Sequence, residues 1–455
     1  MPLEVPELGT SNMQLAKAFE KVGRLEQKSL AKFDEKTQKV EGQLKLVGDL
    51  KGRFSKIKEA LTPFRTPGDF RELKGSSSSP EVLDVSGIDK SKAAVGTYEF
   101  EVLNLANTNS IMTYGMADRD KSEVGVGYIS FKTPAGEERE VYIGSDNNTL
   151  DGVAASINKA NLGVTAYVVN DGTDADEPWR LVVAGQGTGW RENFEWPEFY
   201  LLDGDLEFDR ERIREAKSAT IRFNGQPIMA DENTLKELLP GVNIDLKDAQ
   251  PGRTIKVDIK PDIEVIKERA KGFVDGMNEV LSFIQTQNSL GPDSYKDPTK
   301  ALGGDVGLKA IESRMRNVIQ LTTNERPSQF TRLRDLGITF NRNGTLDYEP
   351  NKLQKALEDD FDGVSSFFAG SSPLTGFANE MIALVDGAIR RGDGLVTIKE
   401  ASLKTRLEKV EKDRDNATDR AQKRLEKIKT QFVRADAAMA DMATQKAGLP
   451  QGMGV

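Results

Sequence analysis

A chain of 455 residues is long enough for two to four domains of ~100–200 residues each, and its 63 basic against 72 acidic residues leave a formal charge of −9. That balance argues against a general nucleic-acid binder, which carries a basic footprint. The absence of both cysteine and histidine removes disulfides, the usual zinc sites, Ser-His-Asp and Cys-His nucleophiles and imidazole proton shuttles.

The opening residues, MPLEVPELGTSNMQ, have neither the basic n-region nor the apolar h-region of a secretory signal. No window approaches the ~18 apolar residues of a membrane span. The expectation is a soluble protein without a membrane span or a classical export tag. A first long helix is predicted from about Asn12 to Leu61, with Ser11 or Asn12 as its cap. Its apolar residues Leu30, Phe33, Val40, Leu44, Val47, Leu50, Phe54, Ile57 and Leu61, with Thr37 filling one place, follow a heptad-like spacing. Gly23, Gly42, Gly48 and Gly52 each weaken such a helix by ~1 kcal/mol relative to alanine. Pro63 and Pro67 mark its end, and GSSSSP at 75–80 reads as a linker.

From about Val82 to Ile259 the rhythm becomes that of short antiparallel strands: 97–105, 127–132, 139–144, 164–170, 180–185, 218–225, 242–247 and 254–260. One helix, 149–161, interrupts them, with Thr149 or Asp151 as its cap. Helical periodicity returns over 261–290, 306–320, 351–360 and 377–391. Asn343-Gly344 between ITF and TLDY reads as a hairpin. The last helix, 402–444, carries the stripe Leu403, Leu407, Val410, Arg414, Ala417, Ala421, Leu425, Ile428, Phe432, Ala435, Met439 and Met442. Its steps of four and three break into consecutive fours around Ala421, a stutter that locally unwinds a left-handed supercoil. Neither terminal helix can bury its stripe alone, so the two are expected to meet. The weak alanine and arginine positions invite further copies into the same bundle. The predicted seam is Leu30, Phe33, Val40 and Leu44 against Leu403, Leu407, Val410, Leu425, Ile428 and Phe432.

No catalytic constellation emerges, and no catalytic, metal-ligating or cofactor-binding residue is assigned. Asp203, Asp205, Glu207 and Asp209 alternate as calcium ligands do, but Phe208 stands where such a loop needs glycine. The segment therefore reads as a solvated acidic stretch. GQGTG at 185–189 lacks both dinucleotide and Gly-Lys-Ser/Thr spacing and reads as a turn. Trp190, Phe194, Trp196, Phe199 and Tyr200 are candidates either for packing inside a small β domain or for an outer binding surface.

Several segments together resemble the bacterial flagellar filament cap family, the hook-associated proteins of the filament tip. They are TYEFEVLNLANTNSI (97–111), NNTLDGVAASINKANLGVTAYVVNDG (147–172) with RLVVAGQGTG (180–189), ADENTLKELLPGVNIDLKDAQPGRTIKVDIKPD (230–262), GFVDGMNEVLSFI (272–284) and LRDLGITFNRNGTLDYEPNKLQKALEDDFDGVSSFFAG (333–370). They occur in the family's order. The front, MPLEVPELGTSNMQLAKAFEKVGR, departs from the family's Gly-Ser-rich start. The resemblance implies an α+β multidomain chain whose β-rich head domains are nested between terminal helices. It implies a coiled-coil domain from 1–45 with 402–455 and a helical leg domain from 46–80 with 262–401. A proximal β domain is expected from 81–112 with 216–261, and a distal one at 113–215 bearing a motif shared by flagellin and hook proteins. A ring-shaped homo-oligomer on the filament is likewise implied, with flagellin and hook-associated junction proteins as partners and an export chaperone at the C-terminal helix. A hook–filament junction protein is the alternative. An adhesin acting on a host or prey surface through the distal domain is a further reading, compatible with capping.

Overall fold

The computed structural model describes residues 13–132, 137–172, 176–193, 195–204, 206–288, 302, 306–320, 329–371 and 375–447. Helix α1 (Met13–Leu61) ends where Pro63 enters a 3-10 turn, and the short α2 (Pro67–Phe70) follows. Next come β1 (Leu73–Ser77), β2 (Leu83–Ile88), β3 (Gly96–Asn104), β4 (Ser110–Thr113), β5 (Val126–Lys132) and β6 (Glu138–Ile143). Helix α3 (Leu150–Ala160) precedes β7 (Val164–Asn170), β8 (Trp179–Gly185), β9 (Glu195–Leu202) and β10 (Phe208–Arg214). The strands continue as β11 (Ala219–Phe223), β12 (Gln226–Ala230), β13 (Thr234–Leu239), β14 (Val242–Leu246) and β15 (Ile255–Pro261). The chain returns to helix with α4 (Ile263–Asn288) and α5 (Val306–Gln320). A hairpin of β16 (Ile338–Phe340) and β17 (Leu346–Tyr348) leads to α6 (Pro350–Asp359), α7 (Phe361–Ala369), α8 (Phe377–Ile389) and α9 (Leu395–Ala447).

Two compact units result: Met1–Phe70 with Ile263–Val455, and Arg71–Asp262. In the helical unit, the three-and-four spacing of Val47, Leu50, Phe54, Ile57 and Leu61 keeps one face of α1 buried against α4, α8 and the base of α9. Each such side chain contributes roughly 1.5–3 kcal/mol on burial. Phe64, Phe70, Phe368 and Phe377 nest together, with Phe64 and Phe368 stacked at 4.9 Å. The amide of Asn379, only 6 % exposed, donates to the carbonyls of Arg65, Ala369 and Thr375 and so ties the start of α8 to the turn after α1.

The β unit holds two hydrophobic cores. The first, or proximal, lobe packs the sheet β1-β15-β3-β11-β12 against β13-β14-β2. The second, distal lobe contains β10-β4-β8-β7, β6-β5-β9 and α3 around its own core. All pairings are antiparallel, and the distal lobe is an insertion between β3 and β11. Helix α3 is capped by Thr149, whose Oγ1 accepts the Gly152 amide.

Three sequence expectations change. The serine run at 75–80 is no linker: Leu73–Ser77 pairs with β15, and Ser77, Ser78 and Ser79 hydrogen-bond neighbouring backbone and Arg253. Small hydroxyl side chains can serve a sheet edge as readily as a loop, and a Cβ on Gly75 would lie 2.6 Å from Val85. The acidic stretch after 203 keeps Asp203 and Glu207 exposed, as a solvated segment would, but its later half is no loop and forms β10 against β4. Asp209 is paired with Arg212 there, while Asp205 lies outside the described residues. Helix α7 was not anticipated; Asp360 caps it by accepting the Gly363 amide, and it buries Phe367 and Phe368.

Candidate assembly surfaces

The α1–α9 pair is an antiparallel hairpin. Phe19 meets Phe432 edge to face with ring centroids 6.2 Å apart, Glu26 pairs with Arg424 at 2.7 Å, and Asp34 with Arg414 at 2.7 Å. Nearest its base, Lys51 pairs with Glu400 at 2.9 Å. On α1 the less exposed positions run Phe19, Gly23, Glu26, Leu30, Phe33, Thr37, Val40, Leu44 and Val47, an unbroken alternation of four and three. The seam therefore extends three positions further toward the N-terminus than the sequence stripe. On α9 the buried residue in the middle of the seam is Thr418, at 8 % exposure, rather than Ala417. The consecutive steps of four thus fall seven residues, about two turns, earlier, at Val410, Arg414 and Thr418, where Arg414 pairs with Asp34.

The two helices cover only part of this seam. Leu30, Val40, Leu403 and Leu425 are buried, whereas Phe33, Leu44, Leu407, Val410, Ile428 and Phe432 stay half-buried. Met439 and Met442 are exposed. The Thr37 hydroxyl is buried with no hydrogen-bond partner among the described residues. Lys404 and Lys51 both donate to the Glu400 carboxylate and hold it below its ordinary range.

The aromatic run after Gly189 divides. Trp196 and Phe199 turn inward against the distal core, and Phe199 stacks on Phe208 at 4.6 Å. Phe194 lies outside the described residues. Trp190, 56 % exposed, sits where the two lobes join. Its amide donates to the Ser218 hydroxyl, which donates to Asp231, and the Thr188 hydroxyl donates to the Asp231 carbonyl. Gly189 has φ of +95°, and a Cβ there would approach Asp231 to 2.6 Å. Tyr200 faces outward beside Tyr128 and Tyr142, two residues that the sequence reading passed over. Strand alternation in GYISFK and REVYIG puts each of them opposite the apolar face, but only strand register brings them together. The Glu198 carboxylate, which accepts the Tyr200 hydroxyl hydrogen bond, raises that phenol above its ordinary range. Among the described residues no group of three or more Asp or Glu is placed to hold a metal, and no helix is long and apolar enough to cross a membrane.

Residues 11–109 match the family model of the flagellar hook-associated protein 2 N-terminus, and 216–444 that of its C-terminus. The B-type flagellar hook-associated protein 2 of Pseudomonas aeruginosa is 26% identical over 443 residues, covering 90% of this chain and 91% of that relative. The flagellar hook-associated protein 2 of Escherichia coli K12 is 22% identical over 423 residues, covering 88% of each. The crystal structure of the D1-D2-D3 domains of the flagellar cap protein FliD from Escherichia coli overlays with a TM-score of 0.58 at 22% identity, covering 79% of this chain and 99% of that one. That likeness concerns the fold.

Proposed function

The chain belongs to the flagellar hook-associated protein 2 family, and from that membership we propose that it caps the flagellar filament, sitting at the distal tip. There it promotes the folding and insertion of exported flagellin and prevents flagellin from escaping. The work is binding and shape, with no covalent step and no cofactor. The observation that best supports an assembled cap is the α1–α9 seam, whose half-buried Val410, Leu407, Ile428 and Phe432 suit further helices from other copies. A further helix beside such a seam would bury the apolar area that two helices leave half open. In this reading 1–45 with 402–455 form the oligomer core, and 46–80 with 262–401 form the leg on the last flagellin layer. The proximal lobe, 81–112 with 216–261, and the distal lobe, 113–215, form the head. Interfaces of moderate size suit a cap that must move on after each insertion.

The partners are further copies of the chain, flagellin and the hook-associated junction proteins, with a cytoplasmic chaperone on the C-terminal helix before export. Gold-labelled antibody on flagellated cells tests the placement. Label at the free filament end is expected. Label at the hook end would reassign the chain to the junction, and label away from flagella would overturn both.

A further inference from the structure

One tyrosine from each strand of the sheet β6-β5-β9 stands in a single row across its outer face. Register pairs Tyr128 with Tyr142 on one side and with Tyr200 on the other. They are 37%, 71% and 48% exposed, and Leu202 beside them is 74% exposed. The next row outward along the strands is Glu140, Ser130 and Glu198, and the row beyond is Glu138, Lys132 and Glu195. Lys132 is already held by both oxygens of Glu195 at 2.8 Å. An apolar ridge with hydroxyls along its top therefore borders a field in which four carboxylates meet one ammonium.

Large exposed apolar groups gathered on one face mark an interaction site, and the charge beside them says of what kind. Tyr128 and Tyr200 stack on each other at 4.9 Å with 20° between their planes. Each ring thereby turns one of its faces to its neighbour and presents an edge and a hydroxyl outward. A sugar ring stacks on a broad free aromatic face, and Tyr128 and Tyr200 already give one face each to the other, while the carboxylates beside them favour a cationic partner. Guanidinium and ammonium groups need acceptors, and the Tyr hydroxyls and Glu carboxylates supply them while the ring edges and Leu202 cover apolar surface. We propose that this face docks a basic protein surface, one that presents arginine or lysine among apolar side chains. The inference is independent of the cap assignment, because it rests on the distal lobe alone.

The test uses the full-length chain and a fluorescent ten-residue peptide alternating arginine and leucine, with anisotropy as the readout. Counter-probes are the same peptide with glutamate in place of arginine and a neutral β-1,4-linked glucose oligomer. The arginine peptide is expected to bind. Glu140→Lys with Glu198→Lys, and separately Tyr142→Ser, are expected to weaken it at least tenfold. Glu99→Lys, on the proximal lobe, removes an acidic charge elsewhere and is expected to leave binding unchanged. Tyr142 is exposed, so its replacement preserves the fold, and matching melting curves verify this. Equal loss on Glu99→Lys would show mere attraction to an acidic protein and overturn the proposal. So would an affinity that ignores both face variants, or Tyr142-dependent binding of the glucose oligomer with none of the peptide.

Discussion

Glu400 concentrates in one side chain the electrostatics that close the base of the hairpin. It receives Lys404 from its own helix at 2.7 Å and Lys51 from α1 at 2.9 Å. Both bonds favour the ionised form, Lys404 more than Lys51, so the carboxyl titrates below the usual 4.5. A depressed folded-state value means that the stabilisation is present above the unfolded-state value. It is lost as pH falls through the folded one. The pair is partly screened by solvent, which limits it to about 0.5–1 kcal/mol. Glu400→Gln is therefore expected to lower the denaturant midpoint at neutral pH. The gap between the two proteins should close once acid protonates Glu400 in the native chain. A gap that persists unchanged well below pH 4.5 would mean that the carboxylate contributes no charge interaction.

Helices α1 and α9 show how an element can be settled in direction while remaining incomplete in packing. The ion pairs Glu26–Arg424 and Asp34–Arg414 cross the hairpin. A slip by one turn would separate both, so they specify register more than they add stability. Burial separates two kinds of seam residue. Leu425 is fully enclosed within one chain, whereas Val410 and Ile428 keep an open side. Replacing Val410 and Ile428 together by Asp is expected to reduce the oligomer mass measured by light scattering while helix content by circular dichroism is largely retained. Leu425→Asp should instead loosen the hairpin itself and cost helix. Unchanged mass for the Val410/Ile428 variant would exclude these positions from contacts between copies.

At the scale of the molecule, the β unit closes on itself. Its first strand pairs with its last, Leu73 opposite Pro261, and its two cores are its own. The fragment 71–262 is accordingly expected to fold alone with a cooperative thermal transition. A fragment that gave no such transition would show that the unit depends on the helical part. How far the plan was legible follows the same division between local and distant causes. Periodicity alone located α1, α3, α4, α5, α6, α8 and α9 and most long strands, because alternation and three-and-four spacing are local consequences of backbone geometry. The Asn343-Gly344 turn was legible for the same reason, and Gly344 takes φ of +79° there. Strands β1 and β10 were misread because serine and charged residues join a sheet only when a distant partner strand offers its edge. The candidate surfaces divide likewise. The sequence by itself determined that two terminal stripes needed each other, since an apolar helix face must be covered. Only the tertiary structure decided that the cover is partial and that Thr418 takes the place expected of Ala417. It also decided that Trp196 and Phe199 face the core while Tyr200 joins Tyr128 and Tyr142 outside. Those outcomes depend on register between segments far apart in the chain, and no local pattern encodes a register.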